Sequence, residues 1–477
     1  MPIQTPLQAQ VFQPGEYLSN GTVTLKNGQT IPFHTVCQDH LLYDGDKAIG
    51  SMFSYSYFRS DVEDPASRPV IFLFNGGPGS GSMWLHAGTF APWRLKFDDP
   101  EGVQQPHLPP YRVENNEYCL LDVADLVFID PVACGYGRLL DPDAGERFFG
   151  MDADATSFDN LIHSWLAKHE RWASPKYLLG ESYGTSRAAL IAESLSGGAR
   201  LEYAPVYLNG LILLGNNIRT GIANISTNDG VEESVLLLPT AAATNWYHNK
   251  LPGTVAEFVA ECYAFCEEEY VTALYRGDTI PDELRNHIAE KVAYFAGLSK
   301  ELVLELNLRP KKNDYLKQVL KDRDLEVGRY DSRFTLPYNR SNAPGFMVRD
   351  DPAQAQFAPP FVYAISGPMK KKLNITFDRK FYGASEVAGN NWKRSAERHP
   401  AQCLAASMRR NPKMKVLFAN GYYDLACMFG EARYLATHSG LPLDRVSFAI
   451  YPSGHMSYLG EEGELLFYTD VRAMVTG

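Results

Sequence analysis

Cysteine is scarce and odd in number, with seven in 477 residues. Thin spacing of this kind fits a reducing compartment better than a disulfide framework. Only Cys262 and Cys266 lie close together, and no second pair completes a zinc site, so they read as half-buried thiols. His-Glu-x-x-His is absent too, and neither a metal nor a cofactor is expected. Long apolar runs are missing: Val70–Phe74 and Leu211–Leu214 fall far short of the roughly 20 residues of a spanning helix, so no membrane partner is expected. Met1 to Gln10 has no basic start and no apolar stretch, so no secretory signal is read there and a cytoplasmic location is the expectation. Positive charge is in deficit, with 45 Lys and Arg against 56 Asp and Glu, a formal net charge of −11. Nucleic-acid binding relies on cations meeting phosphates, so that class is set aside. The short basic clusters Arg309–Lys312 and Lys370–Lys372 read as solvated faces.

What is present is the material of a large core, since 45% of the residues are hydrophobic. Residues 16–58 alternate apolar and polar, with turn signals at Asn20-Gly21, Asn27-Gly28 and Asp44-Gly45. That predicts an antiparallel meander. The pattern then changes to short continuous apolar runs: Val70–Phe74, Leu126–Ile129, Tyr177–Leu179, Leu211–Leu214, Val416–Phe418 and Val446–Ile450. Runs of this kind predict strands buried on both faces of a mostly parallel sheet. Helical spacing separates them, as in Phe158, Leu161, Ile162 and Trp165, and in Ser186–Leu195. The fold class is therefore α/β. From about 220 to 385 the strand series is interrupted by charged, helix-rich sequence, including Glu257–Tyr270, Asp282–Phe295 and Lys300–Leu306, and then by loops around Pro344, Pro352, Pro359 and Pro360. This reads as a cap insertion (220–385) between two parts of one core (1–219 and 386–477). A cap above the strand ends is where a substrate pocket forms.

Gly180-Glu181-Ser182-Tyr183-Gly184 follows an apolar run and precedes a helix. Gly-x-Ser-x-Gly in that context is a nucleophile elbow, which lifts the hydroxyl above the sheet. The competing reading is a Ser that caps the helix. A nucleophilic Ser needs a base, and in this architecture the acid and the His follow it in the chain. His248, His287, His399, His438 and His455 come after Ser182, and only His455 lies just past a late strand. Asp424 follows Val416–Phe418, whereas its rival Asp444 precedes a strand. A solvated loop His and a turn-forming Asp are the alternatives at these two positions. Asn75-Gly-Gly-Pro-Gly-Ser-Gly-Ser82 lacks the Gly-Lys-Ser/Thr ending of a phosphate loop. It reads as a loop of exposed N–H groups near Ser182, half of an oxyanion hole.

Taken in order, Asn75-Gly-Gly-Pro-Gly79, Gly180-Glu-Ser-Tyr-Gly184, Asn420-Gly-Tyr-Tyr-Asp424 and Ser453-Gly-His-Met456 resemble the serine carboxypeptidase family. Phe128–Gly137 and Gly215-Asn216-Asn217 resemble further landmarks, so the likeness runs from roughly 50 to 460. It implies an α/β-hydrolase fold and a peptide substrate that loses single C-terminal amino acids. By position it implies Ser182, Asp424 and His455 as the triad, and the N–H groups of Gly77 and Tyr183 as the oxyanion hole. Asn75, the Gly76 N–H and Glu181 are implied as the grip on the substrate's terminal carboxylate. Glu181 can bind a carboxylate only when protonated, because two carboxylates repel. Two positions depart from the family pattern. Ser80 stands where secreted members carry Cys, which points to a bacterial-type member without their disulfides. Thr89, fourteen positions after Asn75, stands where many members carry a second Glu. Glu181 is therefore expected to titrate lower than is usual for the family. Similar-looking relatives transfer acyl groups to alcohols, so an acyltransferase or esterase is the alternative. A catalytically dead binding protein is a third reading, disfavoured by the three filled triad positions. The oligomeric state stays open, with a homodimer among the options.

Overall fold

Alternation in the first sixty residues builds three antiparallel strands, β1 (Glu16–Thr24), β2 (Thr30–Asp44) and β3 (Lys47–Arg59). The coordinates are a computed structural model that describes residues 12–99, 101–103, 108–197, 205–218, 231–338, 351–393 and 398–477. The stretch Met1–Gln10, the expected boundary between 219 and 220, and Pro344 lie outside the described residues. Asn27-Gly28 falls between β1 and β2, and Asp44-Gly45 turns the chain from the end of β2 into β3, as expected. Asn20-Gly21 does not turn the chain: both residues sit inside β1, opposite His34 and Phe33. A Cβ at Gly21 would lie 2.7 Å from the Phe33 ring, so this glycine makes room for a cross-strand aromatic.

The continuous apolar runs form β4 (Val70–Phe74), β7 (Asp125–Asp130), β9 (Lys176–Glu181) and β10 (Gly210–Leu214), with β5 (Trp93–Lys96), β6 (Arg112–Asn115) and β8 (Arg138–Leu139) as short side strands. Beyond the insertion, in which β11 (Leu325–Val327) pairs with β12 (Thr335–Pro337), come β13 (Lys415–Gly421) and β14 (Val446–Tyr451). The sheet order is β1-β2-β3-β7-β4-β9-β10-β13-β14, with β8 against β3. Every neighbouring pair from β7 to β14 is parallel. Side chains alternate between two cores, as the period of a strand demands. Ile71, Leu73 and Leu179 join one core, and Val70, Phe72, Phe74 and Leu178 join the other. One expectation is corrected at the edge. β14 is not buried on both faces, since it has β13 as its sole partner and leaves Phe448 45% exposed.

Helices cover both faces. α1 (Met83–Gly88), α2 (Met151–Lys168) and α3 (Tyr183–Leu195) precede the insertion. The insertion opens with α4 (Val231–Asn249), α5 (Val255–Phe265), α6 (Val271–Arg276), α7 (Asp282–Ala296), α8 (Lys300–Glu305) and α9 (Lys312–Gln318). It continues with α10 (Pro352–Ala364) and α11 (Lys370–Lys372), and α12 (Glu386–Asn391) follows just past its expected end at 385. The chain closes with α13 (Pro400–Arg410), α14 (Phe429–His438) and α15 (Glu461–Thr476). α2 and α3 pack on one side of the sheet, and Phe467 and Val471 of α15 on the other. Helices α4 to α9 bury a core of their own, which Leu425 and Met428 from the segment after β13 enter. This shared packing ties the insertion to the loop that carries Asp424. Among the described residues no helix is long and apolar enough to cross a membrane.

Candidate active site

β9 ends at Glu181 and α3 begins at Tyr183, so Ser182 alone makes the turn between them. Its backbone is at φ 59°, ψ −126°. A positive φ is costly for a side chain with a Cβ, of order 1–3 kcal/mol, and persists where the surroundings over-determine it. Those surroundings are backbone. A Cβ at Gly180 would lie 2.2 Å from the Gly184 carbonyl oxygen, and one at Gly184 would lie 2.8 Å from that of Phe74. The Ser182 N–H donates to the Leu214 carbonyl of neighbouring β10 at 2.8 Å. Ser182 makes no side-chain cap bond to α3, unlike a capping serine. The loop after β4 closes on the same turn: a Cβ at Gly76 would lie 2.4 Å from the Tyr183 nitrogen. The backbones of Gly76 and Tyr183 are thereby held side by side at the N-terminus of α3, and Gly77 lines the same cleft.

The acid and the base arrive from the ends of β13 and β14. Asp424 is fully buried, and its Oδ1 accepts the N–H groups of Ala426 and Cys427, each at 2.8 Å. Its Oδ2 lies 2.8 Å from His455 Nδ1. The His455 N–H donates to the Tyr330 carbonyl at 2.7 Å, and its ring packs on the Tyr330 ring with centroids 5.0 Å apart. Burial alone would push the His455 pKa down, but the Asp424 carboxylate, with Cys427 adding to it, holds it well above the usual value. Ser182, His455, Asn75, Gly76, Gly77 and Glu181 line one cleft, with Trp84, Tyr330 and Met456 as its apolar wall.

The rival residues are engaged elsewhere. Asp444 sits in the turn that enters β14, at the opposite end of that strand from His455. His248 bonds the Ser332 carbonyl at 2.7 Å, and His287 pairs with Glu269 at 2.8 Å. His438 bonds the Tyr434 carbonyl at 2.8 Å, and His399 precedes α13.

Glu181 is 3% exposed. Asn75 Nδ2 donates to its Oε2 at 2.6 Å, and the Tyr458 hydroxyl donates to the same oxygen at 3.0 Å. Burial raises its pKa to about 7, against the opposing pull of His455, Tyr458 and Asn75. A second carboxylate is thus not needed to lift it. Thr89 turns its hydroxyl to the Leu85 carbonyl at 2.6 Å and closes α1. Asn75 is itself fixed, because its carbonyl accepts from Arg187, which pairs with buried Asp154.

Three residues beside these groups were not read from the sequence as functional. Tyr458 belongs to no motif. Gly215 was noted only as a landmark, yet it backs the His455 ring. Cys427 completes the group Asp424, Cys427 and His455, whose candidate ligand atoms all lie within 4.8 Å of one another. The sequence showed no such clustered set. A metal bound there would have to displace the Nδ1–H···Oδ2 bond, so the group is better described as a His–Asp pair with a buried thiol beside it. All seven cysteines are free and buried, Cys262 and Cys266 included, which is deeper than the half-burial expected of them.

The sheet order, the strained serine between β9 and α3, and the His–Asp pair on later strand ends define an α/β-hydrolase fold. Within that class the serine carboxypeptidase family model matches residues 40–447, and the chain belongs to this family. Serine carboxypeptidase-like 8 of Arabidopsis thaliana is 27% identical over 167 residues, 34% of this chain and 36% of that protein. Serine carboxypeptidase-like 16 of the same plant is 25% identical over 162 residues, 33% and 35% of the two chains. The matched part spans about a third of the length of these curated relatives. The crystal structure of Kex1Δp, a prohormone-processing carboxypeptidase from Saccharomyces cerevisiae, aligns with a TM-score of 0.57 at 14% identity and covers 94% of this chain and 91% of that one. That likeness is one of fold.

Proposed function

We propose that the protein is a serine-type carboxypeptidase that releases C-terminal amino acids from peptides. The observation that carries this reading is the Glu181 carboxyl, buried in the same cleft as Ser182 and His455. A carboxyl with a pKa near 7 can hold a proton and donate it in a hydrogen bond to a substrate carboxylate. Asn75 and the Gly76 N–H are further donors in the same wall. A substrate held by its terminal carboxylate presents its last peptide bond to Ser182.

His455 then takes the Ser182 proton as Oγ bonds to the carbonyl carbon, and Asp424 stabilises the imidazolium and holds its tautomer. The carbonyl electrons move onto oxygen, and the Gly77 and Tyr183 N–H groups donate hydrogen bonds to that oxyanion. His455 returns the proton to the leaving amine, the C–N bond breaks, and the free amino acid departs. Water attacks the acyl-enzyme with His455 as base, which regenerates Ser182 and yields a new C-terminal acid. Peptide is the substrate in this reading, and the seven free thiols support a cytoplasmic location.

Product analysis tests it. Incubation with a peptide library should shorten free-acid peptides one residue at a time from the C-terminus, as read by mass. Internal cleavage of peptides, or acyl transfer to an added alcohol with no net hydrolysis, would overturn it.

A further inference from the structure

The Glu181 carboxyl is pinned unequally. Oε2 receives two donors, Asn75 at 2.6 Å and Tyr458 at 3.0 Å. Among the described residues Oε1 has only the longer approach of the Tyr458 hydroxyl, at 3.3 Å. The exchangeable proton and the substrate therefore share the Oε1 side. Tyr458 is 3% exposed and is itself held in place, because the backbone of Gly88 lies flat against its ring. A Cβ at Gly88 would fall 2.6 Å from Tyr458 Cε2.

The groups that face Glu181 come from several elements. The segment after β14 brings His455 and Tyr458, the segment after β13 brings Asp424, and the loop after β4 brings Asn75. Arg187 of α3 stands behind Asn75, with its charge matched by Asp154. Tyr458 is the one ionisable group among them that touches Glu181 without belonging to the triad.

We propose that Tyr458 is a positioning residue for the terminal-carboxylate subsite, whose hydroxyl fixes the Glu181 rotamer and sets the pH above which free-acid peptides cease to bind. This rests on the carboxypeptidase reading of the cleft. The Tyr458 hydroxyl donates best to an ionised acceptor, so it favours the charged form of Glu181. A second carboxyl in its place would do the opposite. The tyrosine thus lowers the pH ceiling that burial alone would give. The stronger bond to a charged acceptor favours the ionised form by roughly a factor of ten in the equilibrium constant, which corresponds to about one pH unit.

The test is kcat/KM against pH for a free-acid peptide and its amide, in wild type, Tyr458→Phe and Gly88→Ala. Tyr458→Phe should move the alkaline limb of the free-acid substrate up by roughly one unit, with no matching alkaline shift for the amide. Gly88→Ala keeps the hydroxyl but pushes the ring away, and should move the same limb in the same direction. It carries the test if Tyr458→Phe does not fold. A limb that stays put or moves down in the variants, or an equal loss for both substrates at every pH, would overturn the proposal. Identical wild-type profiles for acid and amide would instead remove the carboxylate subsite itself, which separates the two failures.

Discussion

Gly215→Ala is a test of how tightly the His–Asp pair is built. Gly215 follows β10 at φ +58°, behind the imidazole rather than in the cleft. A Cβ there would lie 3.0 Å from both His455 Cε1 and Nδ1, and 3.5 Å from Asp424 Oδ2. An ordinary carbon contact is about 3.5–4.0 Å, so the ring must retreat by roughly half an ångström. The atom displaced is the one that donates the 2.8 Å bond to Asp424. The left-handed backbone adds about 1–2 kcal/mol of strain for alanine. A misplacement of about 1 Å costs on the order of 10²-fold in rate, so half of that should cost roughly tenfold in kcat. KM should change little, because Gly215 does not line the cleft. The pH profile adds a second readout. Asp424 holds the His455 pKa up, so a weakened contact lets it fall. His455 would then be neutral at lower pH, and the acid limb of kcat should move down. The assay is steady-state kinetics on a peptide amide, which brings no carboxylate for Glu181 to repel. An unchanged kcat with an unmoved acid limb would refute the argument.

Three further outcomes are expected. Ser182→Ala should fold, fail to take a fluorophosphonate label and retain only the residual ~10³–10⁴-fold catalysis of binding and oxyanion stabilisation; wild-type turnover would remove Ser182 as the nucleophile. In wild type, kcat/KM for free-acid peptides should fall on the alkaline side as the Glu181–His455 pair loses its last proton, because ionised Glu181 then repels the substrate carboxylate. Glu181→Gln cannot ionise and should flatten that fall, and a profile identical to wild type would exclude Glu181 from substrate recognition. Arg187→Met leaves Asp154 buried with, among the described residues, the Tyr183 hydroxyl as its remaining side-chain donor, and should cost about 3–5 kcal/mol in urea unfolding; a stability equal to wild type would show the ion pair to be dispensable.

The core strands were legible because both sides of each are apolar, a pattern that needs no knowledge of neighbours. β14 misled for the same reason: its apolar residues are those of an interior strand, but its place at the sheet edge is a property of the whole topology. Asn20-Gly21 misled because a glycine that accommodates the Phe33 ring looks like a glycine that turns the chain. In the site, Ser182, Asp424 and His455 were readable because each follows a strand in a short loop with its own pattern. Tyr458, Gly215 and Cys427 were not. Their parts depend on contacts with Glu181, His455 and Asp424, which strands far apart in the chain bring together, and no local spacing records that.

Glu181 and His455 make opposite demands on the pH when taken one at a time, and the proposed reaction resolves them together. Free-acid peptides need Glu181 protonated and His455 neutral. Burial holds Glu181 near 7, while Asp424 holds the imidazole well above its usual value. The resting cleft can therefore carry one proton in either of two places: on Glu181 with His455 neutral, or on His455 with Glu181 ionised. The two forms have the same net charge, so pH does not select between them, and a titration reports the pair. The substrate does select. Its carboxylate repels ionised Glu181 and accepts a hydrogen bond from the protonated form. Binding a free C-terminus thus draws the shared proton to Glu181 and leaves His455 as the neutral base that Ser182 requires. A peptide amide brings no such charge and must meet the imidazole as pH alone has set it. In the proposed reaction the carboxyl that grips the terminus thereby readies the base for terminal peptides in particular, which ties specificity to chemistry in a cleft with no Lys or Arg among its described lining residues.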